Sequence, residues 1–165
     1  MPLVSITRLR VRSFRHLPAF LLGSLREAKH APGNLAVSVL SDSHLAFWTR
    51  TLWTDERSMR AFMFAPAHRA VMPKLLQWCD EAAVGHWLQE TLEPPSWQEV
   101  HRRLQSEGRT SKVDHPSAAQ LRFELPPPNP TRQLTFKSPP RESGGTGAGA
   151  GLGFHQHAFT SRSFQ

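Results

Sequence analysis

Apolar and polar positions alternate between Val4 and Ser13, with β-branched residues among them and arginines at 8, 10 and 12 on one side. That is the pattern of a strand. The period then lengthens. Leu17-Pro18 opens a helix with proline in its first turn, where the missing N–H is no loss. Leu17, Phe20, Leu21, Ser24, Leu25 and Ala28 fall on one face of it, and Pro32-Gly33-Asn34 stops it. Leu35, Val37 and Val39 alternate through a second strand, Ser41-Asp42-Ser43 turns the chain, and a third strand runs from Leu45 to Trp53. Thr54 is predicted to cap the next helix, with Asp55 and Glu56 in its positive first turn and Met59, Phe62 and Met63 inward. Ala65-Pro66 is expected to break that helix, and Pro73 to kink or divide the helical segment around it. Ala82 to Gln89 reads as a fourth strand.

The order β-α-β-β-α-β is the split ferredoxin-like arrangement of an α+β fold. The third strand is apolar on both sides, with Phe47 and Trp53 on one and Ala46, Trp48 and Leu52 on the other. A ferredoxin-like sheet carries helices on one face, so the second indole face needs a cover. A second copy of the chain supplies one, and a homodimer with facing sheets is expected. The alternative is that Trp48 or Trp53 packs under residues 91–125 of the same chain.

Six of the 14 prolines and six of the ten glycines lie between Pro126 and Gly153. Such sequence buries too little apolar surface to offset its ordering entropy. The expected organisation is a folded unit at 1–90, a helical extension at 91–125 and a disordered tail at 126–165. In the extension, Ser96 and Glu99 have capping-box spacing, Val100 and Leu104 form a thin apolar stripe, and Gly108 ends the helix. It is read either as packing on the rim or, with Lys112, His115 and Pro116, as a lid.

The net charge of +7 raises nucleic acid as a partner. Residues 1–90 hold 11 Lys and Arg against 7 Asp and Glu, and residues 91–165 hold 9 against 6. So thin and even an excess favours solubility or small anions over nucleic acid. No apolar run approaches the length of a membrane span or a secretory leader. The single cysteine, Cys79, excludes an intrachain disulfide and paired-cysteine zinc sites, and fits the reducing cytoplasm. No metal-ligand spacing, phosphate loop or Ser-His-Asp arrangement is present.

Three segments resemble the dimeric α/β-barrel superfamily: Thr7-Arg8-Leu9-Arg10-Val11-Arg12-Ser13, Ala46 to Trp53, and Met59-Arg60-Ala61-Phe62 with Ala67-His68-Arg69. Within it, the chain is similar to the antibiotic-biosynthesis monooxygenase group over about residues 3–90. The resemblance implies a monooxygenase-like protein that oxidises a flat aromatic or polyketide-like molecule without a cofactor. The alternative it implies is a non-catalytic binder of a small ligand or of haem. In the haem-degrading branch, an asparagine on the first strand and a tryptophan on the second helix are expected. Here Thr7 stands in the first place and Met63-Phe64 in the second, so His68 is the one matching position and the candidate haem ligand.

His68 starts a helical turn after Ala65-Pro66-Ala67. There it can present one ring nitrogen to a pocket while backbone holds the other, and act as a base near neutral pH. Trp48 and Arg50 share a strand face, where an indole can stack on a flat substrate and a guanidinium can bind an anionic oxygen. His68, Trp48 and Arg50 are the candidate catalytic set, with Thr7, Leu52 and His86 as substrate contacts. For His86 the alternative is a satisfied core histidine. One pocket between sheet and second helix is expected, with His68 at its mouth and Trp48, Arg50 and Leu52 in its wall. Cys79, beside Asp80 and Glu81, is expected to be a poor nucleophile.

Overall fold

The computed structural model describes residues 1–13, 15 and 17–137. Its elements are β1 (Leu3–Val11), α1 (Leu17–His30), β2 (Asn34–Ser41), β3 (Phe47–Trp53), α2 (Glu56–Met63), α3 (Pro66–Trp78) and β4 (Cys79–Leu88). After these come α4 (Trp97–Glu107), β5 (Arg109–Thr110), α5 (Ala118–Leu121), a 3-10 turn at Pro130–Arg132 and β6 (Leu134–Lys137). All strand pairs are antiparallel, in the order β5-β4-β1-β3-β2-β6. The central β4-β1-β3-β2 portion is the ferredoxin-like sheet expected from the sequence.

Several boundaries differ from expectation for local reasons. Asp55, one residue later than Thr54, caps α2 by accepting from the Ser58 N–H at 2.8 Å. Thr54 instead donates to the Asp55 carboxylate. Pro66 does not break a helix but opens α3 as its first residue, where proline is well placed. Pro73 sits inside α3, which runs through it undivided. Burial of Val71 and Leu75 on either side of Pro73 holds the helix against the sheet. Gly33, at φ 81°, makes the turn into β2, and a Cβ there would lie 2.3 Å from the Ser58 hydroxyl.

Residues 126–137 depart from the expected disordered tail. Pro128 bridges Asp42, and β6 pairs with β2 from Val39↔Leu134 to Ala36↔Lys137. An unpaired sheet edge offers backbone groups that even a proline-rich approach segment can reach. The remainder of that tail, 138–165, lies outside the described residues.

The sheet is covered on both faces. Helices α1, α2 and α3 lie on one. On the other lies α4, with Trp97, Val100 and Leu104 facing the sheet. They pack with Val4, Ile6, Trp48, Leu52 and Trp87, and Phe123 and Leu125 close the cluster. Leu104 approaches so closely that a Cβ on Gly85 would lie 3.1 Å from its Cδ1. Ser96 caps α4, but Glu99 completes no capping box, because its carboxylate is taken by Arg102 and Arg103.

This arrangement corrects the reasoning behind the expected homodimer. Trp48 is fully buried by the chain's own extension, so a second sheet is not needed and cannot stack there while α4 is docked. The extension packs across the sheet face rather than on a rim. Trp53, fully buried on the opposite side, packs with Leu3, Met59 and Phe62.

The arginine face of β1 also has a structural use. Fully buried Arg8 donates from Nε to Asp42 at 2.7 Å and from Nη1 to Glu81 at 2.6 Å. Arg10 pairs with Asp80 and Glu81, and the Ser117 hydroxyl donates to Glu81. Asp42 also accepts from the Trp48 indole and from the N–H groups of His44 and Ala46, tying this network to the β2–β3 turn. Among the described residues no helix is long and apolar enough to cross a membrane.

Candidate functional site

Strand alternation sends Ser5, Thr7, Thr49 and Thr51 to the α1–α3 face, side by side by register: Ser5↔Thr51 and Thr7↔Thr49 across β1–β3. Val84 and His86 continue these rows on β4, opposite Thr7 and Ser5. The helices do not close onto this hydroxyl floor. A cavity of about 370 Å³ separates them, roofed by Met59, Phe62, Met63, Met72, Leu75 and Leu76. Leu25 and Ala28 of α1 also line it. The side chains of Leu17, Phe20, Leu21 and Ser24, expected on the same helix face, lie outside the described residues. The Thr51 hydroxyl is engaged, donating to the Ser5 carbonyl and accepting from the Trp53 indole at 2.8 Å. The hydroxyls of Ser5, Thr7 and Thr49 have no hydrogen-bond partner among the described residues.

His68 lines this cavity from the first turn of α3. That turn has no side-chain cap of its own, because Ala65 occupies the cap position. Glu27 reaches across from α1 and accepts from the N–H groups of Ala67 and His68 at 3.1 and 2.8 Å. A carboxylate at a helix N-terminus satisfies orphan donors and the helix dipole together. The His68 Nδ1 lies 3.1 Å from the Met63 carbonyl. A carbonyl only accepts, so Nδ1 carries the proton and Nε2 is left as the acceptor. The ring packs 4.7 Å from Phe62, which packs 5.2 Å from Trp53. Burial lowers the His68 pKa below 6.5, against the smaller opposing effects of the Met63 carbonyl and Glu27. The imidazole is therefore neutral at neutral pH.

Of the expected site residues, His68, Thr7 and His86 share the cavity. Trp48, Arg50 and Leu52 do not: they lie on the opposite face of the sheet, under α4. The expected catalytic set is thus split by the sheet itself, since alternate residues of β3 face opposite ways. Arg50 is a structural tie. It donates to the Pro95 carbonyl and to the Ser38 hydroxyl, and lies 4.4 Å over the Trp97 ring. With burial as the cause, its pKa falls to about 10, so it stays charged. His86 is exposed and not a core histidine; burial of its ring and the nearby Arg109 lower its pKa, while Glu56 opposes. Lys112 lines the cavity, whereas His115 and Pro116, expected beside it in a lid, do not. Cys79 is buried and its thiol is pushed up to about 12, chiefly by burial and then by Asp80, as befits an unreactive thiol. Among the described residues no group of three His, Cys, Asp or Glu side chains is placed to hold a metal ion.

Sequence reasoning missed Ser5, Thr49, Glu27 and Arg109. The hydroxyls were legible, because Ser5, Thr7, Thr49 and Thr51 stand where an alternating strand pair is otherwise apolar. Glu27 and Arg109 come from segments whose approach to the site depends on packing.

No family model matches the chain, and no curated protein matches it. Solved structures do. A cofactor-independent oxygenase of Streptomyces nogalater is 14% identical over 55% of this chain and 94% of its own, with a TM-score of 0.46. A Nitrosomonas europaea protein of unknown function is 18% identical over 58% of this chain and 95% of its own, at 0.48. A Chloroflexus aurantiacus protein proposed to be an antibiotic biosynthesis monooxygenase is 21% identical over 55% and 97%, at 0.40. The chain is similar to these proteins in the path of its backbone, the antibiotic biosynthesis monooxygenase-like fold.

Proposed function

We propose that the chain binds a flat, largely apolar small molecule in the cavity beneath α2 and α3. We further propose that His68 removes a proton from it in a cofactor-independent oxidation. One observation carries this reading. A neutral histidine, its tautomer set by a backbone carbonyl, faces a cavity floored by unpartnered hydroxyls. That combination suits a substrate with an acidic C–H beside a carbonyl or phenol. His68 Nε2 takes the proton, and the hydroxyls of Thr7 and Thr49 donate to the oxygen on which negative charge gathers. The carbanion gives its electrons to dioxygen, and the resulting peroxide takes up the proton from His68. Loss of water then leaves a carbonyl. A CH2 group becomes C=O, one oxygen atom stays in the product, and the other leaves as water. The apolar roof keeps bulk water from the carbanion.

The acting unit in this reading is one chain in the cytoplasm. Residues 1–90 provide the floor and roof, and the extension closes the far face of the sheet. Incubation with an anthrone, whose central CH2 is activated in this way, tests it by oxygen uptake and formation of the ketone. A His68→Ala exchange is expected to lower the rate about 10²- to 10⁴-fold, the usual worth of a positioned base. Uptake unchanged by that exchange would refute the role.

The second reading is ligation of haem by His68, favoured by the same Nδ1–H anchor, which orients metal-binding histidines. His68 would hold the iron through Nε2, and haem would supply dioxygen chemistry there. A Soret shift on adding haemin that disappears in His68→Ala supports it.

A further inference from the structure

We propose that the ligand of this cavity is an anion, its apolar body under α2 and α3 and its charged group held by Arg109 and Lys112. The inference rests on the cavity reading above and adds the substrate's charge and the position of that charge. Three observations carry it.

The register of β5 aims Arg109 at the cavity. Arg109 stands directly opposite Val84 on β4. Paired residues of an antiparallel ladder share a face, and Val84 is part of the cavity floor. His86 comes two residues later on the same face, and Arg109 is the charge that disfavours its protonated form.

The segment that carries the two cations is built in. The Ser111 N–H donates to the Ala82 carbonyl at 2.8 Å, and Gln120 clamps Ala82 and the Ser111 carbonyl. The Asp114 N–H donates to the Leu76 carbonyl of α3, and Val113 is buried with Leu9, Val71 and Leu75. The cations therefore sit on a strap fixed to both the floor and the roof of the cavity.

Their charge is uncompensated. Arg8, Arg10, Arg60, Arg102, Arg103 and Arg122 each meet a carboxylate. Arg109 and Lys112 meet none among the described residues, and no Asp or Glu lines the cavity. Glu56, near His86, is engaged by Arg60 at 2.6 Å. Two unpaired cations beside an apolar cavity create a positive potential that an anionic group relieves and a neutral one does not. With the Ser111 hydroxyl beside them, they suit a carboxylate-sized group.

Two fluorescent probes of nearly the same shape separate charge from fit: 8-anilinonaphthalene-1-sulfonate, and the uncharged N-phenyl-1-naphthylamine. The full chain is expected to bind both, the sulfonate more tightly, with each displacing the other. In R109Q/K112Q, exchanged at two exposed positions, the sulfonate is expected to lose about tenfold in affinity, while the neutral probe keeps its own within about twofold. 1-Naphthoate should compete in the unaltered chain, and 1-naphthylmethanol should not. Equal affinity for the two probes, unmoved by the double exchange, overturns the inference but leaves the cavity reading standing. Loss of both probes in the variant overturns it too, because the strap then acts by shape. Failure of either probe to bind the unaltered chain, or to displace the other, overturns the cavity reading and this inference with it.

Discussion

On the α4 side of the sheet, polar groups are buried and spent on one another. Asp42 accepts four hydrogen bonds, Arg8 joins two carboxylates, and Arg50 pins the start of the extension to β2. On the α1–α3 side of the same strands, three hydroxyls face a cavity with no partner among the described residues, and two cations stand at its exposed rim. Buried polar groups left unpaired are costly, so a protein completes its networks where only stability is at stake. Where polar groups stay open, solvent or a ligand completes them. The contrast marks one face as scaffold and the other as site. It also explains why the chain needs a segment beyond the β-α-β-β-α-β unit: α4 supplies the cover, and β5 beside it supplies the rim.

Exchanges on the scaffold face should cost the most stability. Arg8→Ala leaves Asp42 and Glu81 buried without their cation and is expected to cost about 3–5 kcal/mol in urea unfolding. A loss below about 1 kcal/mol would place the network in solvent. Leu104→Ala opens a cavity between α4 and Gly85 and is expected to cost about 2–5 kcal/mol. With that face covered, light scattering should find a single chain at micromolar concentration. A dimer that persists there assembles through another surface.

Effects at the site are smaller in stability and larger in binding. Glu27→Ala removes the cap of α3 and should cost about 1 kcal/mol, with weaker probe binding because the turn holding His68 loosens. Oxygen uptake should rise with pH through a midpoint below 6.5 and then level off, since the His68 pKa is lowered and its neutral form is the base. The linked stability has the same sign. It is fully present above the unfolded value near 6.5 and declines as pH falls toward the lower folded value. A midpoint above 6.5 would assign the base elsewhere. Thr49→Val should change stability by less than about 0.5 kcal/mol, since no bond is lost, yet slow the oxidation. A large destabilisation would show that this hydroxyl is structural.

The strand and helix periods made the architecture legible, because alternation and the 3.6-residue repeat are local consequences of backbone geometry. The role of His68 was legible for a similar reason. The Ala65-Pro66 start of a helix forces a histidine two residues on to lie at its first turn. The opposite faces of Trp48 and Trp53 were legible too, but not which face held the pocket. Alternation divides a strand into two sets and leaves open which set meets the helices.

Sequence by itself determined the ferredoxin-like unit, the need for a cover over Trp48, and His68 as a candidate base, because each depends on residues near one another in the chain. Tertiary structure decided that α4 is the cover and that Trp48 and Arg50 belong to the scaffold. It also decided that Glu27 caps the His68 turn and that Arg109 borders the cavity. Those outcomes join residues far apart in the chain, and packing, not local periodicity, selects which distant groups meet.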